Sequence, residues 1–259
     1  MPHQPRKFAN GEFYHIVLRR IANEKLFIDT DDYYRGIFSI YEFNNDQPIS
    51  IWRRRKKRKK RARADLAPKE GQGLPLLKKL LLPEIEKSER DCFVDVLLFA
   101  LMPNHIHLLV KQLKDNGISK YMQKIGSGFS NYFRKKYDLK LTGHFFQDRF
   151  KSVHIKTDEQ LIVLFSYIHT NPLSLIELGW KKNGIKNPKR AIRFLENKYR
   201  WSSYFDYLGK KNFPSVTKRD FLLEVIGGQN RSRKIVNSWI QEKAKMRKEI
   251  EKFSDILLE

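Results

Sequence analysis

The chain has 259 residues, 41% of them hydrophobic, and one cysteine, Cys92. That supports a real core in one large domain, or one domain with an extension, and excludes a disordered chain, an intramolecular disulfide, a multi-cysteine zinc site and the paired-cysteine zinc deaminases. Formal net charge is +23, from 52 Lys+Arg against 29 Asp+Glu, so a polyanion is the first partner to consider, because each Lys or Arg that neutralises a phosphate releases counterions.

Met1 to Asn10 is polar, and no stretch has the roughly 18 consecutive apolar residues of a membrane span, so an intracellular protein with no membrane partner is expected. Glu12 to Arg19, aromatic and β-branched, predicts a first strand. Asp29-Thr30-Asp31-Asp32 offers an N-cap and an acidic first turn to a helix carrying Tyr33, Tyr34, Ile37, Phe38, Ile40 and Tyr41. Arg53 to Arg63 then holds ten basic residues and no acid, leaving +13 spread over the rest. With the polar stretch to Gly73 it predicts an exposed basic loop insertion, and Leu74 to Leu82 predicts a short helix.

Phe93 to Leu101 is a candidate central strand. Pro103-Asn104 is turn chemistry, so His105 to Val110 returns as its antiparallel partner. Side chains alternate on a strand, so His105 and His107 share a face and offer a two-point metal grip; two hydrogen-bonded structural histidines are the alternative. Ile118, Tyr121, Met122, Ile125, Phe129, Tyr132 and Phe133 predict an amphipathic helix to about Tyr137, in which Gly126 and Gly128 mark a bend, a close approach or a tolerated weak spot.

Gly143 to Ile155 interleaves aromatics with basic side chains. It reads either as a surface for unpaired bases and phosphates or as an edge strand with a polar outer face. His144 and His154 are taken as structural. Thr157 to Gln160 is a capping box opening a helix that Pro172 ends. Tyr167 and Asn171, four apart at its last turn, can face one point; a structural tyrosine is the alternative. From about Lys182 the chain is a basic helical extension, with helices at Lys218 to Ile226 and from about Ser232.

Met102-Pro103-Asn104-His105-Ile106-His107-Leu108-Leu109-Val110, taken with Tyr167-Ile168-His169-Thr170-Asn171-Pro172, resembles the single-tyrosine transposases of the HUH (His-hydrophobic-His) superfamily, and more closely their REP-associated branch. The resemblance runs from about Glu12 to Trp180, interrupted at the basic insertion. Trp201-Ser202-Ser203-Tyr204 with Tyr207-Leu208-Gly209 is similar to that branch's C-terminal extension.

The resemblance implies an α+β, ferredoxin-like antiparallel sheet with packed helices: a catalytic domain over 1–180, with 53–73 as insertion, and an extension over 181–259. It implies that His105 and His107 bind a divalent metal, Mg²⁺ or Mn²⁺, that Asn171 completes the metal site, and that Tyr167 is the nucleophile of DNA transposition through a 5′-phosphotyrosine. The implied partner is single-stranded or hairpin DNA, with a homodimer as a further option and a nucleoid-associated cytoplasmic location. Arg149, Lys151, Arg134, Lys135 and Lys136 are candidate phosphate contacts. Two other classes stay open: a non-catalytic nucleic-acid-binding protein derived from such an enzyme, and a metal-dependent nuclease that uses water.

Overall fold

Alternation along Phe13–Arg19 (β1) shows directly in burial: Tyr14, Ile16 and Leu18 are buried and the residues between them are half-exposed, as a strand with one face on a core requires. The computed structural model describes residues 7–47, 90–139, 143–147 and 149–254. Its contacts divide the chain into a unit of residues 1–44 with 93–259 and a second of residues 45–92. Of the second, only 45–47 and 90–92 are described, where the Asp46 N–H donates to the Asp91 carbonyl at 2.8 Å. The basic block at 53–63, the rest of the insertion to 73 and the predicted helix at 74–82 lie outside the described residues.

Asp29 caps α1 (Thr30–Glu42), accepting the Asp32 N–H while the Asp32 carboxylate accepts that of Asp29, a reciprocal capping box. The Pro103-Asn104 turn joins β2 (Val94–Met102) to β3 (His105–Gln112), and α2 (Gly117–Lys136) leads to β4 (Lys151–Ile155). The sheet order is β2-β3-β1-β4 with every neighbour antiparallel. A β-α-β-β-α-β chain with β1 and β3 central is the ferredoxin-like arrangement. In the Gly143 to Ile155 stretch, the edge strand starts at Lys151, and Phe145 is a core residue packed on Phe133 at 5.1 Å.

The two sheet faces are covered differently. Leu18, Leu101 and Ile106 lie in one row on the face covered by α1 and α2. The opposite face, with Phe13, Ala100 and Leu109, packs on α3 (Asp158–Thr170) and on the C-terminal residues Trp180, Leu195, Tyr207, Val236 and Ile240.

Those C-terminal residues come from α4 (Trp180–Asn183), α5 (Pro188–Asn197), α6 (Tyr204–Tyr207) and α8 (Gly228–Ser254), and α7 (Asp220–Ile226) adds Leu222 and Ile226 to the same core. The last helix starts four residues before the predicted Ser232, because the Gly227 backbone at φ 91° caps α7 and α8 follows at once. The Trp201 to Ser203 segment runs along the free edge of β2: Leu101 N–H donates to the Trp201 carbonyl at 2.9 Å and Ser203 N–H to that of Phe99 at 3.0 Å. Backbone groups of the edge strand are thereby paired rather than presented to another chain. Among the described residues no helix is long and apolar enough to cross a membrane.

The two helical glycines of α2 separate cleanly. A Cβ at Gly128 would lie 2.3 Å from the buried Phe43 ring, whereas one at Gly126 meets only Phe146 at 3.9 Å. Gly126→Ala is therefore expected to stabilise the fold by up to about 1 kcal/mol through helix propensity. Gly128→Ala should destabilise it by about 1–2 kcal/mol through overpacking. Urea midpoints of the two variants, moving in opposite directions from wild type, check this.

Candidate functional site

His105 and His107 leave β3 on the face that packs on α3, as alternation predicts, with Arg19 opposite His105 and Val17 opposite His107 on β1. This register brings in a third ring that sequence reading passed over. His15 places Nε2 3.0 Å from His107 Nδ1, with the two rings 5.2 Å apart and close to parallel at 13°. On its other side, His107 Nε2 lies 3.0 Å from His105 Nε2.

His105 is oriented by the turn that precedes it. Its Nδ1 lies 2.5 Å from Asn104 Oδ1, and Asn104 Nδ2 donates to the Asn23 carbonyl at 3.5 Å. That assignment of the amide makes Nδ1–H the donor to Asn104 and leaves His105 Nε2 as an acceptor. The segment after β1 clasps this turn: Arg20 N–H donates to the Asn104 carbonyl at 3.0 Å, and Leu26 and Phe27 N–H to that of Pro103 at 2.6 and 3.0 Å.

All three imidazoles are held neutral. Burial pushes His15 down to about 4 and His105 to about 3, and holds His107 well below the usual histidine range, with the Lys181 ammonium adding to each. Neutral imidazole is the ligand form. The two Nε2 atoms meet at 3.0 Å, so both rings turn a nitrogen toward the same point. Among the described residues no group of three or more His, Cys, Asp or Glu side chains could hold a metal; the cleft that the two imidazoles line also contains an amide.

That amide comes from the far end of α3. Thr157 caps the helix by accepting the Gln160 N–H at 3.3 Å, while Gln160 Oε1 reaches back to the Lys156 N–H at 2.8 Å. Pro172 lies in the 3-10 turn Asn171–Leu175 that follows Thr170. Tyr167 and Asn171 are one turn apart here. The Tyr167 ring stands edge-on to His107 at 5.8 Å and to His15 at 6.0 Å. Buried Asn171 donates from Nδ2 to the Tyr167 carbonyl at 2.8 Å, and its Oδ1 accepts from Lys181 Nζ at 2.5 Å.

Lys181 is the second functional candidate that sequence reading missed. Its ammonium also donates to Tyr167 Oη at 3.4 Å and lies 4.5 Å from the centroid of that ring. It is presented by α4, where Trp180 is buried with Nε1 donating to Ser174 Oγ at 3.1 Å. One cleft of about 330 Å³ is lined by Arg19, His105, His107, Tyr167, Asn171 and Lys181. It juxtaposes a phenol, a cation and neutral nitrogen donors, the components of a metal-assisted nucleophilic displacement.

The five sequence-predicted phosphate contacts divide. Lys151 is exposed on β4 opposite Val17, in the same cross-strand row as His107, and Arg149 and Lys135 are exposed. Arg134 donates to the Gly143 carbonyl at 2.5 Å. Lys136 is committed elsewhere, to Asp29 at 2.7 Å and Asp32 at 2.8 Å. His154 is paired with Glu12 at 2.9 Å. His169, on the other side of α3 from Tyr167, is buried with Nε2 2.9 Å from Ser203 Oγ.

The model of the family described as transposase IS200 like matches residues 54–171. This segment is transposase-like. It contains His105, His107, Tyr167 and Asn171, while His15 and Lys181 lie outside it. A solved structure of a REP-associated tyrosine transposase bound to a REP hairpin is similar at 14% identity, covering 85% of this chain and 93% of that chain with a TM-score of 0.45. No curated protein matches. The transposase-like segment ends at Asn171, the residue on which α3 closes.

Proposed function

We propose that the chain is a DNA transposase that cuts and rejoins single-stranded or hairpin DNA through Tyr167. The observation that carries this is the meeting, in one cleft, of Tyr167 and Asn171 from the end of α3 with His105 and His107 from the start of β3. The basic surface and the match of residues 54–171 to a transposase family support it.

His105, His107 and Asn171 are the residues that would hold a divalent cation, Mg²⁺ or Mn²⁺, with the Asn171 oxygen exchanging its Lys181 partner for the ion, and the cation would supply polarisation of a phosphate oxygen of the bond to be cut. Tyr167 Oη attacks the phosphorus of a DNA phosphodiester and releases its proton to solvent in the open cleft. The bond from phosphorus to O3′ breaks, that oxygen takes a proton to become a free 3′-OH, and the 5′ phosphate stays esterified to Tyr167. One ester replaces another, so a later attack by a 3′-OH reverses the step and joins strands without ATP. Lys181, 3.4 Å from Tyr167 Oη, balances the negative charge that develops on the phenolic oxygen. Lys151, Arg149 and Lys135 track the backbone, Lys151 about 10 Å from His107 by two strand spacings.

Incubation of the protein with hairpin-bearing single-stranded DNA and Mn²⁺ tests the proposal. The expected product is a denaturant-stable protein–DNA adduct, lost in His105→Ala with His107→Ala and on addition of a chelator. Cleavage without an adduct would mean that water is the nucleophile. Tight, salt-sensitive binding with neither product would leave a DNA-binding protein only.

A further inference from the structure

We infer that Arg19 receives the departing strand: its guanidinium bonds the phosphate being cut and the O3′ that leaves when Tyr167 attacks. The inference rests on the reading of Tyr167 as the nucleophile and assigns the opposite end of the same cleft.

Arg19 ends β1 and Arg20 follows it, and strand alternation sends the two side chains apart. Arg20 is buried on the side of α1 and α2, with its guanidinium 4.5 and 4.7 Å from the Phe133 and Phe145 rings and its Nη2 2.6 Å from Glu24. Arg19 goes to the other face, directly opposite His105 in the β1–β3 register, and lines the cleft. Among the described residues it pairs with no carboxylate. Its guanidinium is held instead by a neutral amide, Nη1 donating to Asn23 Oδ1 at 3.0 Å, so its charge is not cancelled and the other N–H donors of the fork are open to an anion. The backbone that presents Asn23 is unusual. Ala22 and Asn23 both lie in the left-handed region, at φ 53° and 57°, which side chains rarely adopt, and the N–H bonds of Arg20, Leu26 and Phe27 to the Pro103-Asn104 turn hold them there.

The order of side chains along the cleft puts Arg19 at the leaving-group end. Tyr167 stands edge-on to His15 and His107, and Lys181 meets its hydroxyl at 3.4 Å. His15 and Arg19 are four residues apart on β1, about 13 Å, so the site runs from Tyr167 beside His15, past His107 and His105, to Arg19. In phosphoryl transfer the attacking and leaving oxygens lie roughly in line on opposite sides of phosphorus. With Tyr167 Oη at one end, O3′ departs toward the other, where Arg19, Asn23 and Lys25 line the wall. A guanidinium in a protein does not give up a proton. Arg19 therefore stabilises O3′ by hydrogen bonds as it takes negative charge, and that oxygen then takes its proton from solvent, to which Tyr167 released its own.

A substrate with sulfur in place of the leaving O3′ tests this. A thiol, with an ordinary pKa of about 8.5, departs as its anion without a hydrogen-bond donor, whereas an alkoxide does not. The rate of adduct formation in Mn²⁺ is measured for wild type, Arg19→Ala and Lys181→Ala on hairpin-bearing single-stranded DNA, with O3′ or 3′-S at the bond that wild type cuts. Arg19→Ala is expected to be slowed about 100-fold on the O3′ substrate, the loss typical of one donor to a developing oxyanion, and to come within about fivefold of wild type on the 3′-S substrate. Lys181→Ala, which acts at the nucleophile, is expected to be slowed alike on both. Arg19→Met, which keeps the apolar stem, repeats the comparison if Arg19→Ala melts early. Equal slowing of a folded Arg19 variant on both substrates, or slowing on neither, overturns the inference while wild type still forms the adduct. If wild type forms no adduct with either substrate, the nucleophile reading has failed and this inference falls with it.

Discussion

Tyr167→Phe should abolish the covalent adduct, a loss of more than about 10³-fold of the kind seen when a catalytic nucleophile is removed, while the Kd for hairpin DNA stays within about twofold of wild type. The substitution takes away one oxygen. The phenyl ring keeps its edge contacts with His15 and His107, and the lost partner of the hydroxyl is the exposed Lys181 at 3.4 Å, so the melting temperature should not move measurably. Gel separation under denaturing conditions reads the adduct, and fluorescence anisotropy reads the binding. An adduct that persists in Tyr167→Phe overturns the nucleophile assignment. If binding collapses with it, the hydroxyl has a role in holding DNA that its surroundings do not show.

The elements that carry this site were legible in the sequence because each rests on local rules. Alternation across a Pro-Asn turn gives the β2–β3 hairpin and puts His105 and His107 on one face. The Thr157 cap and Pro172 bracket α3 and so set Tyr167 one turn from Asn171. What local rules could not supply is pairing between distant strands, which entered only with the ferredoxin-like resemblance. His15 matters only because β1 lies beside β3 in antiparallel register, with Val17 opposite His107, and nothing in the stretch from Glu12 to Arg19 states that neighbour. Lys181 was hidden for a related reason: it reaches Asn171 and Tyr167 from a four-residue helix anchored by the buried Trp180. The misleading signal was composition. Phe145, which the aromatic-basic pattern offered to nucleic-acid bases, packs in the core, where the buried Arg20 guanidinium lies 4.7 Å from its ring and 4.5 Å from that of Phe133. Aromatic and basic residues interleave both where a surface binds bases and where a buried guanidinium needs ring faces.

Lys136 shows the same ambiguity from the side of stability, and the partner it finds yields a large stability effect for a single substitution. Asp32 is fully buried at the first turn of α1 and accepts from Lys136 Nζ at 2.8 Å, Tyr137 Oη at 2.7 Å, Tyr132 Oη at 2.9 Å and the Ile28 N–H at 2.8 Å. It therefore ties the start of α1 to the end of α2. Removing one partner of a buried ion pair costs about 3–5 kcal/mol; Lys136 is 25% exposed and can turn to water or to Asp29, so Asp32→Ala is expected at the lower end, about 3 kcal/mol. Asp32→Asn, which keeps an acceptor for the backbone but not the charge, should lose less.

The network also sets a pH dependence. Burial pushes the Asp32 carboxyl up, but Lys136, the Ile28 N–H and the two tyrosine hydroxyls together hold it below its ordinary value, and Lys136 first of all holds Asp29 down as well. With the folded pKa below the unfolded one, the unfolded chain takes up protons first as pH falls. The contribution is complete above about pH 5 and is lost on acidification through the carboxylate range. The neutral, buried histidines lose stability in the same direction but from about pH 6.5 downward, a window that Asp32→Ala retains. Urea midpoints at pH 7, 5 and 3.5 should therefore run parallel for wild type and Asp32→Ala down to pH 5 and converge below it. Parallel lines through pH 3.5 would show that acid sensitivity lies outside this network.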